Sequence, residues 1–332
     1  MVIEPSRASR WWRPGACVFA ALIGGMVSAL AVQAQAPGAG AACPPQFQAP
    51  SAEQVQAAAQ SARDHGALWK VMRDGRTSYL FGTLHVGKLE WALPGPKVGA
   101  ALAATDTLAL ELDPTDPQML ERMARPVPGA APVSAPLRER IARRLDRACV
   151  PASLRPVLDA QHPMLQAMTL VMLEARWEGL DMGYAQEVVL AGMAHAAQRP
   201  IVSLETPELQ LAALMPADGA EMNQAIESLL EQIERGTGRR TLARLAAAWT
   251  RGDLDDIAAY ERWCNCVLDA ADRRALTRLL DDRNPGLADS IATLHRDGTR
   301  VFAAVGALHM VGPNGLPQLL RQRGFAVERV SY

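Results

Sequence analysis

Aromatic side chains make up only 5% of the 332 residues, too few for the stacking platforms on which proteins hold unpaired bases. Neither sign of charge is in excess: 34 Lys and Arg stand against 35 Asp and Glu, a formal net charge of −1. So balanced a chain carries no electrostatic footprint for nucleic acid or for an anionic membrane surface. The easily read catalytic signatures are missing too. There is no His-Glu-x-x-His run, which excludes a helical zincin site, and no glycine-rich phosphate loop. A Gly-x-Ser-x-Gly elbow is also absent, so a serine hydrolase of that type is unsupported.

Cysteine is sparse, at five residues. Cys17 falls in an N-terminal stretch that does not read as part of the fold. Arg7, Arg10 and Arg13 form a positive n-region, Ala16 to Val32 an apolar h-region, and Ala34-Gln35-Ala36 a small-residue cleavage site. Residues 1–36 are therefore expected to be a secretory signal peptide, with the mature protein periplasmic or secreted and no stable membrane anchor once the segment is removed. Cys43, Cys149, Cys264 and Cys266 remain, and an even count in an exported chain suits disulfides. Cys264 and Cys266 are too close in sequence to pair easily, so each is expected to reach Cys43 or Cys149. A zinc knuckle needs a second close pair, which the chain lacks.

Histidine is scarce as well, at six residues, yet two of them share one context. Tyr79-Leu80-Phe81-Gly82-Thr83-Leu84-His85 and Ala303-Ala304-Val305-Gly306-Ala307-Leu308-His309 are each a short apolar run, then Gly-x-x-His. Apolar runs of this length read as buried strands. A glycine at the end of such a strand permits a tight turn or a close approach. The carboxyl edge of an open α/β sheet is where ligands bind.

Two further strands carry acids at the same end. Thr107 to Asp113 is apolar apart from Glu111 and Asp113, and Ile201 to Pro207 contains Glu205. An acid inside an apolar strand is costly unless it is paired, hydrogen-bonded or bound to metal. Strand side chains alternate, so only one acid of the first pair need point inward, and Glu111 is taken as that one. His85, Glu111, Glu205 and His309 are donors suited to Zn²⁺, Mn²⁺ or Co²⁺.

Between these strands the pattern is helical. After a leader and a short helix over 37–66, with Ser51 as N-cap, the chain reads as one α/β domain over 67–332. Its helical insertion runs from about 136 to 285, and the stripe Leu165, Met168, Leu170, Met172 and Leu173 is core rather than groove. The Asp74-Gly75 hairpin makes the strand Ala67–Met72 antiparallel to its partner. Strand ends meet only where strands run parallel, so a mixed central sheet flanked by helices is expected.

Tyr-Leu-Phe-Gly-Thr-Leu-His-Val-Gly at 79–87, Leu-Glu-Leu-Asp at 110–113, Leu-Glu-Thr at 204–206, Arg-Asn at 283–284 and Val-Gly-Ala-Leu-His at 305–309 resemble the TraB/GumN family. That family is related to the Tiki proteases and more distantly to the haem-binding ChaN and erythromycin esterase folds. The resemblance implies a mixed α/β sheet with helices on both faces. It implies a site built from both Gly-x-x-His histidines and an acid, with a divalent metal in the Tiki branch: here His85, His309 and Glu111. Arg283 matches the family arginine and would stabilise a carboxylate or a developing oxyanion. Glu205 is a fourth candidate on that edge. Without the C-terminal anchor of Tiki and TraB members, the chain looks like the soluble exported GumN type.

The expected activity is metal-dependent hydrolysis, by a peptidase in the first place, with Glu111 or Glu205 as base or third ligand. Two rivals differ in class. One is a binding protein that captures peptide, haem or metal without chemistry. The other is a metal-free, esterase-like hydrolase with His85 or His309 as base.

Mass spectrometry of the exported protein should find a mature chain beginning near Pro37; envelope material that retains Met1 would contradict the signal-peptide reading.

Overall fold

Asp74 and Gly75 take positive φ angles of 51° and 72°, as in the mirror-image turns whose twist suits a hairpin. They join β1 (Ala67–Arg73) antiparallel to β2 (Arg76–Thr83), the hairpin read from the Asp-Gly dipeptide. The computed structural model describes residues 43–125, 127 and 129–332. Residues 1–36, expected above to be a signal peptide, lie outside the described residues.

Four more strands complete one sheet: β3 (Thr107–Leu110), β4 (Ile201–Ser203), β5 (Val301–Gly306) and β6 (Ala326–Arg329). The order is β4-β3-β5-β2-β1-β6. β2, β5, β3 and β4 run parallel, while β1 is antiparallel to both β2 and β6. The sheet is thus mixed, and the four strands carrying candidate site residues end on the same edge.

Period-two alternation divides the core between the two faces. Phe302, Ala304, Leu108, Leu110, Leu68 and Phe81 point to one side. There they meet the helices Pro96–Ala103, Gln186–Ala196 and Thr237–Thr250. Val301, Ala303, Val305, Ala109, Trp69 and Leu80 point to the other, against Asn284–Arg296 and Leu316–Gln322. From Val301 to Val305 every residue of β5 is fully buried, as a central strand covered on both faces must be.

The insertion packs a core of its own. Leu137, Ile141, Leu170, Met222, Ile226 and Leu230 form a cluster separate from the two sheet faces. Leu170 is buried there, Leu165 and Met168 pack against it, and Met172 turns to the sheet, so the Met-rich stripe is core. Ser51 caps the Ala52–Ser61 helix through a reciprocal capping box with Gln54. No helix among the described residues is long and apolar enough to cross a membrane.

The cysteines pair differently from the reading above. Cys43 bonds to Cys149, and Cys264 bonds to Cys266. The reason lies in the backbone of Asn265, which takes a left-handed φ of 53° just past the Tyr260–Trp263 helix. That reversal brings the Cα atoms of Cys264 and Cys266 to 5.1 Å, within disulfide range.

Trp249 ties the insertion to the sheet. Its ring is 1% exposed, and its Nε1–H donates to the carbonyl of Gly82 at 2.7 Å. Trp249→Phe removes that donor from a buried carbonyl and should cost about 1–3 kcal/mol, read as a lower urea midpoint with an unchanged slope.

Candidate functional site

Each Gly-x-x-His glycine makes room for the other motif. A β-carbon on Gly82 would lie 3.2 Å from Met310 Cγ and 3.5 Å from Ala307 Cα, so a bare glycine lets the turn after β5 settle on β2. That turn, the 3₁₀ segment Ala307–Met310, carries His309. A β-carbon on Gly306 would lie 3.3 Å from Glu111 Oε1, 3.6 Å from His309 Cδ2 and 3.9 Å from His85 Nε2. Gly306 is therefore the floor of a small space faced by both histidines and one acid.

The acids arrive from the neighbouring strands. Glu111 follows β3 directly and Glu205 stands two residues beyond β4. Glu111 Oε1 accepts the Gly306 N–H at 2.8 Å, and its other oxygen accepts from Arg283 Nη2 at 2.5 Å. Arg283 grips Glu205 as well, through Nε at 3.0 Å and through Nη2. The Arg283, Glu111 and Glu205 side chains are only 8%, 9% and 6% exposed. Arg283 stands at the entry of the Asn284–Arg296 helix and reaches both acids from the end of the insertion.

Hydrogen-bond directions settle the state of His309. Asn284 is 1% exposed, and its Nδ2 donates to the Asn314 carbonyl at 2.8 Å. That fixes the amide, so Asn284 Oδ1 accepts from His309 Nδ1–H at 2.6 Å. On the other side Arg283 Nη1, which can only donate, lies 3.4 Å from His309 Nε2. His309 is thus neutral, with its lone pair on Nε2. Burial pushes its imidazole down to about 4, against the pull of Glu111.

His85 is the opposite case. Its ring is 61% exposed at the mouth of the site, and Nδ1 lies 3.2 Å from Glu187 Oε1. The Glu187 carboxylate raises the imidazole above its ordinary value and so favours the imidazolium. Glu187 also accepts from the Thr83 hydroxyl. Burial alone would raise the Glu187 carboxyl, but His85 and Thr83 outweigh it and hold the group ionised.

The structure therefore brings His85, Glu111 and His309 together around Gly306, with Arg283 joining Glu205 to them. Two side chains given no role in the sequence reading belong with these. Asn284 was visible beside Arg283 but carried no catalytic residue type. Glu187 is the second residue of a helix that follows a glycine-flanked turn, a common place for an acid. By contrast His295, fully buried, accepts from Ser78 Oγ at 2.9 Å and donates to the Arg73 carbonyl at 3.0 Å. With both nitrogens satisfied inside the core, it is structural.

A divalent metal requires Glu111 to be free. Both imidazoles present Nε2 inward with Nδ1 held from outside, which suits a ligand histidine. The carboxylate does not suit, because the Arg283 guanidinium already rests on it. Among the described residues no three His, Cys, Asp or Glu side chains are grouped as a metal shell. As arranged, the residues do not fit the ion.

The chain belongs to the TraB/PrgY/gumN family, whose model matches residues 67–329. It is similar to the uncharacterised protein YbaP of Shigella flexneri and to that of Escherichia coli (strain K12). Each is 24% identical over 249 residues, covering 74% of this chain and 88% of the relative. No solved structure matches it.

Burial by itself would raise the Glu111 carboxyl, but His309, which takes its own proton only near pH 4, together with Arg283, His85 and the Gly306 amide holds it down at about 2, against a usual 4.5. A lowered folded value gives stabilisation that is present above about pH 4.5 and lost as the pH falls toward 2. The urea midpoint of the wild type should therefore fall across that window more steeply than that of Glu111→Gln; equal slopes would contradict it.

Proposed function

We propose that this protein is an exported hydrolase of peptide or small-molecule amide and ester bonds, working over Gly306 with its two histidines as base and acid. The observation that carries this reading is the convergence of His85 Nε2, Glu111 Oε1 and the His309 ring on the space above Gly306. Two histidines whose surroundings drive them in opposite directions suit opposite proton-transfer roles.

His309 Nε2 takes the proton of the attacking water as its oxygen bonds to the scissile carbonyl carbon. Asn284 holds the ring in the required tautomer throughout. Arg283 and the His85 imidazolium meet the charge developing on the carbonyl oxygen. As the tetrahedral species collapses, His85 gives its Nε2 proton to the leaving group. Glu187 keeps His85 charged and aimed until then. Glu111 and Glu205 act by fixing Arg283, since both accept hydrogen bonds from it.

A metal-dependent peptidase is the second reading, favoured by the inward-facing Nε2 atoms. It requires Arg283 to release Glu111 first.

The test is hydrolysis of a panel of peptides and esters by the purified mature chain, with and without a chelator. Wild type should cleave at a rate the chelator does not change. His85→Ala and His309→Ala should each lose about 10²–10⁴-fold, with the far-UV spectrum unchanged. Chelator-sensitive cleavage restored by Mn²⁺, Co²⁺ or Zn²⁺ would move the assignment to the metal-dependent form. Tight binding of peptide or haem without turnover would replace hydrolysis by capture.

A further inference from the structure

The turn that carries His85 is held by a second segment, residues 181–187, rather than by its own strand. Gly87 N–H donates to the Asp181 carbonyl at 2.9 Å, and Asp181 N–H returns the bond at 2.8 Å. Leu84 is gripped at both ends: its N–H donates to Gln186 Oε1 at 2.9 Å, and its carbonyl accepts from Gln186 N–H at 3.2 Å. Glu187 then holds the His85 ring itself. The aim of His85 is therefore inherited from wherever residues 181–187 sit.

That segment is in turn held from outside. Gly183 lies directly under Phe47: a β-carbon there would come within 2.4 Å of the Phe47 ring. Phe47 also meets the Tyr184 ring edge-on at 5.0 Å, and the Tyr184 hydroxyl donates to the Gln48 carbonyl at 3.3 Å. Phe47 belongs to a short strap without regular secondary structure, fastened by the Cys43–Cys149 disulfide, beside which Gln46 Nε2 donates to the Cys149 carbonyl at 2.9 Å. One end of the strap is thus covalently fixed to the helical insertion. The other presses an aromatic ring onto the segment that holds His85.

We infer that the Cys43–Gln48 strap is a positioning element for His85, with Phe47 as the residue through which it acts. Its catalytic consequence rests on the hydrolase reading above; its mechanical part does not. The side chains nearest a β-carbon on Gly306 are Glu111, His309 and His85, none of them from the strap, so the strap reaches the site through the segment it presses on. A ring packed directly on a glycine transmits position well, because close-packed groups pass displacement on to one another.

The test is hydrogen exchange on the full mature chain, read over 84–87, over 181–187 and over β5. Phe47→Ala should speed exchange about tenfold over 84–87 and 181–187 and leave β5 unchanged. The double variant Cys43→Ser, Cys149→Ser should do the same, and Phe47→Tyr should match the wild type. In turnover, Phe47→Ala should lower kcat about tenfold with KM unchanged. Wild-type exchange over 84–87 in both weakened variants would overturn the inference. So would faster exchange that includes β5, since that is global loosening. If the wild type hydrolyses nothing, the hydrolase reading fails, while the exchange pattern still decides the role of the strap.

Discussion

One guanidinium between two buried carboxylates is the constraint on which the edge of this sheet depends. β3 and β4 each deliver an acid to a place with almost no water. Two such carboxylates side by side would repel each other and forfeit their hydration. Arg283 resolves both problems by donating to Glu111 and Glu205 together. Glu111 can then receive the Gly306 amide, which fixes the end of β5 and hence the turn that bears His309. Removing the arginine alone would leave two uncompensated charges, a more severe defect than removing the whole triad.

The glycines convert this electrostatic arrangement into a site. Gly82 admits the His309 turn, and Gly306 leaves the space between the histidines open. The motif's symmetry in sequence hides a division of labour. His309 is buried, neutral and held by an amide; His85 is exposed and held by a carboxylate that favours its charged form. Identical local motifs acquire different chemistry because one lies inside the insertion's shadow and the other at its rim.

Much of this was legible from the chain. Alternating or fully apolar runs located the strands, Asp74-Gly75 marked the hairpin, and the recurring Gly-x-x-His pointed to one edge. Local pattern reaches that far because strand burial and turn chemistry are short-range. Glu187 was not legible: its role comes from tertiary contact with a turn far away in sequence, and nothing about an acid in a first helical turn announces it. The pairing of Cys264 with Cys266 hinged on one left-handed residue, Asn265, which spacing cannot reveal. Charge placement was legible only in part. Acids at strand ends imply a positive partner, and the sequence offers both a metal and an arginine for that post.

The most direct measurement is a double-mutant cycle on unfolding free energy between Arg283→Met and Glu205→Gln. If the guanidinium organises the edge, the pair should couple by about 2–3 kcal/mol, with the double variant more stable than the sum of the single losses allows. Additive losses, agreeing within about 0.5 kcal/mol, would show that the two groups act independently and that something else holds the edge together.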